Sequence, residues 1–177
     1  MIEDRVSEFE EAYDAVLAGD SEEVKGHLLR ERIHWLEPAQ AISVEAGATV
    51  TETITLMREH HIGAVLVMED GALVGIFTER DVLMKAVGRD DLGVVAVREL
   101  MTAQPETLRL DEGIAFALNK MHLGGFRHVP VLDAEQATWR IVSVRDVTRW
   151  IVGLFPDAVL NLPPDSTIRD PDKRGGA

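Results

Sequence analysis

The chain has 177 residues, 46% of them hydrophobic, a size that suits one compact domain or two small fused units. Its 18 Lys and Arg residues stand against 31 Asp and Glu, a net charge of -13 whose field repels nucleic acids and anionic membrane surfaces. The absence of cysteine excludes disulfides, thiolate metal sites and a cysteine nucleophile, and no apolar run approaches the roughly 20 residues of a spanning helix. The start, Met1-Ile2-Glu3-Asp4-Arg5, lacks the basic and apolar regions of a secretory signal, so the cytoplasm is the expected location. Val6, Phe9, Tyr13, Val16 and Leu17 then form one helical stripe that Gly19 ends, and Asp20-Ser21-Glu22-Glu23 opens a second helix as a capping box. An N-terminal helical hairpin is predicted over about residues 4–33, an extension (1–34) whose apolar stripe must pack on the module or on a partner.

From residue 35 onward the sequence repeats itself. Aligning Ser43 with Thr107 brings Val50 onto Ile114, Ile54 onto Leu118, Met57 onto Met121, Ile62 onto Phe126 and Val67 onto Val131. After a single inserted residue, Ile76-Phe77-Thr78-Glu79-Arg80-Asp81-Val82 falls on Ile141-Val142-Ser143-Val144-Arg145-Asp146-Val147. Each copy reads as strand, helix, strand, strand, helix. The opening strands lie near Ala41 to Val44 and Glu106 to Leu110. Gly63 follows the first helix of the first copy, and Gly124-Gly125 ends its counterpart in the second. Ala64 to Met68 and Leu73 to Phe77 flank Glu69-Asp70-Gly71, a hairpin with an Asp-Gly turn, and their unbroken apolar character implies burial on both faces. The second helices begin near Glu79, running through Val82, Leu83 and Val87, and near Val144, running through Val147, Trp150 and Ile151. The expected organisation is repeat 1 over 35–90, repeat 2 over 91–160 and a tail-like segment over 161–177.

The strand-to-helix junctions carry the chemistry. Asp81 and Asp146, in the first turn of their helices, are suited to accept hydrogen bonds from a ribose diol. Thr78 and Ser143, three residues earlier, sit beside free amides where phosphate is favoured. Arg80, Arg127, His128 and Arg145 supply the local cations that an acidic chain needs to hold an anion, and guanidinium forks match phosphate geometry. Ile42, Val44, Ile62, Leu108 and Ile141 offer apolar walls for an adenine ring. Each residue also has a plainer role: the hydroxyls as helix caps, the aspartates as partners of the helix dipole, the arginines as solvated charges, His128 as a strand histidine. The duplication of the hydroxyl and carboxylate at one spacing favours the binding role, because a cap needs no repeated partner. His60-His61 lacks a ligand partner at metal-site spacing, and no serine lies in a nucleophile-elbow motif.

Gly75-Ile76-Phe77-Thr78-Glu79-Arg80-Asp81 resembles the signature of cystathionine-β-synthase-type (CBS) domains, as do Ile62-Gly63-Ala64-Val65-Leu66-Val67, Gly125-Phe126-Arg127-His128-Val129-Pro130-Val131 and Val97-Arg98-Glu99-Leu100-Met101-Thr102. The resemblance covers roughly residues 35 to 155. It implies an α/β (α+β) fold of two β-α-β-β-α repeats related by a pseudo-twofold axis, a Bateman module with two clefts that each draw on both repeats. It further implies a homodimer and a regulatory, non-catalytic role. The ligand would be AMP, ADP, ATP or S-adenosylmethionine, with no cofactor required and with a regulated protein partner as a further expectation. The alternative is an adaptor with empty clefts that recruits a partner through its N-terminal helices. One departure stands out: the family's glycine six residues before the aspartate is kept as Gly75 but replaced by Arg140, which either alters or closes the second cleft or reaches a phosphate.

Overall fold

The first hairpin shows how the sequence sets the architecture. Strands β2 (Ala64–Glu69) and β3 (Ala72–Thr78) pair antiparallel around Asp70 and Gly71, both at positive φ, the two-residue turn whose twist matches that of the strands. Val65, Val67 and Phe77 point to one side, into a core shared with Val50 and Met57. Ala64, Leu66 and Ile76 point to the other, where they meet Trp139 and Ile141 of the second repeat. Both faces are therefore covered, which is why the strands lack polar alternation.

The structure is a computed structural model that describes residues 30–154. The expected N-terminal hairpin, up to residue 29, and the expected tail lie outside the described residues. Strand β1 (Ser43–Glu45) runs parallel to β2. Helix α1 (Val50–Glu59) starts with a capping box between Thr49 and Glu52. Helix α2 (Glu79–Asp81) continues as a π-helical stretch, Val82–Ala86. The second repeat follows with β4 (Thr102–Ala103), β5 (Leu108–Arg109), α3 (Ile114–Gly124), β6 (His128–Asp133), β7 (Thr138–Ser143) and α4 (Val144–Leu154). The fold is thus α+β, two sheets ordered β1-β2-β3-β4 and β5-β6-β7. The second core gathers Leu108, Ile114, Met121, Val129, Val131, Val142 and Val147. Among the described residues no helix is long and apolar enough to cross a membrane.

The edge strands are exchanged. β4, which leads into repeat 2, pairs with β3 of repeat 1. In turn residues 39–41, which lead into repeat 1, bond along β7: Ala41 N donates to Trp139 O and Ile141 N to Ala39 O. Ile33, fully buried, fills the second core rather than the first, and its amide donates to Glu112 O at 2.8 Å.

Two sequence expectations are corrected. The second helix of repeat 1 stops at Ala86, and Leu83 and Val87 are 67% and 69% exposed, so they are surface rather than core. His61, at positive φ (53°), turns the chain after helix α1, so Gly63 is not needed to end it. Gly63 serves instead as a close-approach point, since a Cβ there would come within 3.3 Å of Glu79 Oε2 and 3.4 Å of His128. The one-residue step between repeats has two parts: the first hairpin turns in two residues but carries Val74 as an extra residue opposite Val67 and Met68, whereas the second turns over residues 134–137 with unbroken register.

Candidate functional site

The two strand-to-helix junctions are built alike. Thr78 N and Oγ1 both donate to Asp81 Oδ2, at 2.9 and 2.7 Å, and Asp81 N donates back to Thr78 Oγ1. Ser143 N and Oγ donate to Asp146 Oδ2 at 2.8 and 2.6 Å, with Asp146 N donating to Ser143 Oγ. Each hydroxyl is therefore a cap, closed by the aspartate three residues on. Capping occupies only one oxygen of each carboxylate. What the other oxygen does separates the two junctions.

Asp81 Oδ1 is taken. Lys85 Nζ lies 2.7 Å from it and also donates to Leu100 O at 2.8 Å and Met101 O at 3.3 Å, which uses all three ammonium protons. Thr102 Oγ1 adds a long bond at 3.4 Å, and the Asp81 side chain is 9% exposed. Asp146 Oδ1 has a loose ion pair with Arg149 at 3.8 Å, and its side chain is 28% exposed. Trp150 holds the place in α4 that Lys85 holds in the first repeat, so among the described residues no ammonium reaches Asp146.

Each junction opens on a cavity that draws on both repeats. The first cavity, about 350 Å³, is lined by Thr78, Arg80 and Asp81 together with Thr102, Phe126, Arg127 and His128. The second, about 1720 Å³, is lined by Ser143, Arg145 and Asp146 together with Ile42, Ile62 and Ile141. Glu79, Arg127 and His128 face both. Burial holds the His128 imidazole below its ordinary value; Glu79 opposes this and Arg127 adds to it. Arg127 pairs loosely with Glu79 at 3.7 Å, and Arg80 Nη1 donates to the Gly125 carbonyl, where positive φ ends α3.

Most sequence-selected residues therefore line a cavity, with two exceptions. Leu108 is 2% exposed inside the second core and Val44 packs on the first, so these repeat-related strand residues wall neither cavity. Nor does Arg140 reach a phosphate position: its Nε donates to buried Asp133 at 3.0 Å and its Nη1 to Pro38 O at 3.1 Å, which ties the second hairpin to the incoming chain. Gly75, at the same place in the first hairpin, has to be bare because a Cβ would lie 2.2 Å from Met101 Sδ. Sequence reasoning missed Ile76 and Phe126 as walls of the first cavity, although the repeat alignment relates them to Ile141 and Ile62. It also missed Lys85, whose spacing of four residues from Asp81 was the available signal.

The duplicated unit and its two cavities bring the comparison with known proteins to a decision, because the CBS domain family model matches residues 39–88 and again 97–153. The chain belongs to the CBS domain family. A CBS domain-containing protein of Arabidopsis thaliana is 33% identical over 113 residues, 63% of this chain but 21% of that protein, so the likeness spans about a fifth of the relative. Among solved structures, the CBS-domain containing protein of Agrobacterium tumefaciens is 28% identical with a TM-score of 0.61, covering 68% of this chain and 99% of that one. A CBS domain protein of Pyrobaculum aerophilum complexed with AMP shares the fold at 24% identity and a TM-score of 0.59, covering 66% of this chain and 89% of that one.

Proposed function

We propose that this CBS pair is a cytoplasmic, non-catalytic regulatory module that binds an adenosyl ligand, with the second cavity as its principal site. The observation that carries this reading is Oδ1 of Asp146, a carboxylate oxygen at a helix start beside apolar walls, which has only a loose 3.8 Å ion pair with Arg149 and meets no lysine among the described residues. A ribose diol would donate to that oxygen while Ile42, Ile62 and Ile141 flank the adenine. AMP in the Pyrobaculum protein of the same fold supports the ligand class. The first cavity, with Asp81 already neutralised by Lys85, would bind more weakly or stay empty.

The test is calorimetry and thermal melting of the full chain with adenosine, AMP, ADP, ATP and S-adenosylmethionine. A ligand present at a hundred times its Kd is expected to stabilise the fold by about 2.7 kcal/mol. No binding by any of them at millimolar concentration sinks the proposal. A second reading, a scaffold that pairs with another copy or another protein, is favoured by Leu83, Met84 and Leu123, which are 67%, 74% and 76% exposed. Sedimentation velocity of the unliganded chain checks it: a monomer at every concentration removes the homodimer.

A further inference from the structure

Exposed apolar side chains are not shared evenly between the two pairs of helices. Leu83, Met84 and Val87, on and just after the π-helical stretch of repeat 1, and Phe116 and Leu123, on α3, are between 63% and 76% exposed. Across Val50–Glu59 of α1 and residues 144–153 of α4 no large apolar side chain is exposed. The repeat alignment sets Glu52 and Glu59 in the places of Phe116 and Leu123, and Thr148 and Arg149 in those of Leu83 and Met84. Glu59, Thr148 and Arg149 line the second cavity. The pseudo-twofold relation therefore puts Leu123, Leu83 and Met84 at the mouth of the first, whose lining includes Gly124 at the end of α3 and Thr78 to Asp81 at the start of α2. One cavity has an apolar rim and the other a polar one, and a bare apolar rim marks a docking surface.

Where the chain enters this fold points to the occupant. Ile114 N, at the start of α3, donates to Glu31 O at 3.0 Å, and a Cβ on Gly113 would lie 3.5 Å from the Phe116 ring and 3.8 Å from Glu31 O. The residues before 30 are thus delivered beside Phe116, and Leu123 stands about 10 Å further along the same helix at 1.5 Å per residue. Among them the sequence spaces Val6, Phe9, Tyr13, Val16 and Leu17 as one apolar stripe. Residues 18–29 can span up to roughly 40 Å when extended, more than enough to bring that stripe to Leu123. Charge agrees with this placement. Residues 6–17 carry Glu8, Glu10, Glu11 and Asp14 and no Lys or Arg. Neither Ile114–Gly124 nor Val82–Ala86 contains a carboxylate, and each contains one lysine, Lys120 or Lys85, paired with Glu106 or Asp81. On α1 the same segment would meet Glu52 and Glu59. A tethered segment also acts at an effective concentration of about millimolar, which favours it over a second copy of the chain in dilute solution.

We propose that residues 6–17 of this chain dock on the apolar face made by α3 and residues 82–87, as a strap across the mouth of the first cavity. The strap covers within one chain the side chains that a scaffold would offer to a partner. It roofs the cavity whose aspartate is already paired with Lys85 and leaves the second cavity open. The assignment does not depend on which ligand, if any, the second cavity takes.

Because the chain has no cysteine, engineered thiols report the contact without background. The experiment treats dilute full-length A12C/H122C and A12C/R58C with a short bismaleimide and maps the linked peptides. His122 and Arg58 are repeat counterparts, both exposed, so they differ only in the face they mark. Linkage within one chain should be at least about fivefold greater for A12C/H122C than for A12C/R58C, as a raised local concentration requires. Adding F9S/Y13S/L17S should bring A12C/H122C down to the level of A12C/R58C, with melting curves confirming that residues 30–154 still fold. Equal or greater linkage to R58C, linkage mainly between two chains, or a yield at H122C that the serines leave unchanged overturns the strap. Linkage between two chains through H122C would assign the face to a second copy instead.

Discussion

The two strand-to-helix junctions share three hydrogen bonds and one spacing, yet the second oxygen of the carboxylate is tightly held in one and only loosely paired in the other. The difference comes from a single position in the helix that follows: Lys85 in the first repeat, Trp150 in the second. A motif can therefore be duplicated faithfully while its chemistry is not, because the groups that decide how tightly a carboxylate is held lie outside the motif. The cavities follow the same rule. Both draw on both repeats, but one is about 350 Å³ with its aspartate paired to a lysine and the other about 1720 Å³ with its aspartate only loosely paired.

The sharpest way to break this comparison is to attack what the cavities share. Leu66 is fully buried in the layer between the two sheets, facing Trp139 and Ile141. Leu66→Ala should cost about 2–5 kcal/mol in urea denaturation, the range for deleting a packed leucine. Ligand affinity should fall with it; a stability loss that leaves binding untouched would show that the sheet interface does not set cavity geometry.

A more selective test sets the aspartates against each other. Asp146→Ala should weaken adenosyl binding by about 1.5–3 kcal/mol, the scale of hydrogen bonds to a charged group. Asp81→Ala should leave affinity nearly unchanged and instead lower stability by about 1–3 kcal/mol, since Lys85 and the Thr78 amide lose their partner. If the two variants exchange these phenotypes, Asp81 and not Asp146 is the ligand residue.

The smallest effect concerns the wall both cavities share. His128 has its folded-state pKa depressed by burial, so its unfolded form takes up a proton first as pH falls. The stability tied to the neutral imidazole is complete above its unfolded pKa, roughly 6.5, and is lost as pH drops through the lower folded value. Glu79, Arg127, Arg145 and Asp146 are the charged groups that act on the imidazole. Melting temperatures between pH 7 and 5 should fall less steeply in His128→Gln than in the wild type; parallel slopes would remove His128 as the cause.

How much of this was legible in the sequence depends on the range of the interaction. The hairpin of β2 and β3, the caps at Thr78 and Ser143 and the doubled unit are local, and the apolar spacing and the Asp70-Gly71 turn announce them. Val44 and Leu108 were misjudged because a short parallel strand looks alike whether its side chains face a core or a cleft; only the sheet's placement decides. Leu83 and Val87 carry a helical pattern, but the π-helical stretch ends at Ala86 and turns them to solvent. The unequal cavity sizes arise from contacts between repeats, which no window along the chain contains.

The exchanged edge strands have a consequence for dividing the protein. Residues 39–41 complete the sheet of the later repeat and β4 completes that of the earlier one, while Ile33 plugs the later core. A cut in the connection near residues 88–96 would give two fragments, each having surrendered a border strand to its sibling. Expressed separately, both would present raw sheet margins, and the later one an empty socket as well. The smallest unit expected to stay in solution is the intact pair, and the halves should regain solubility only when produced together.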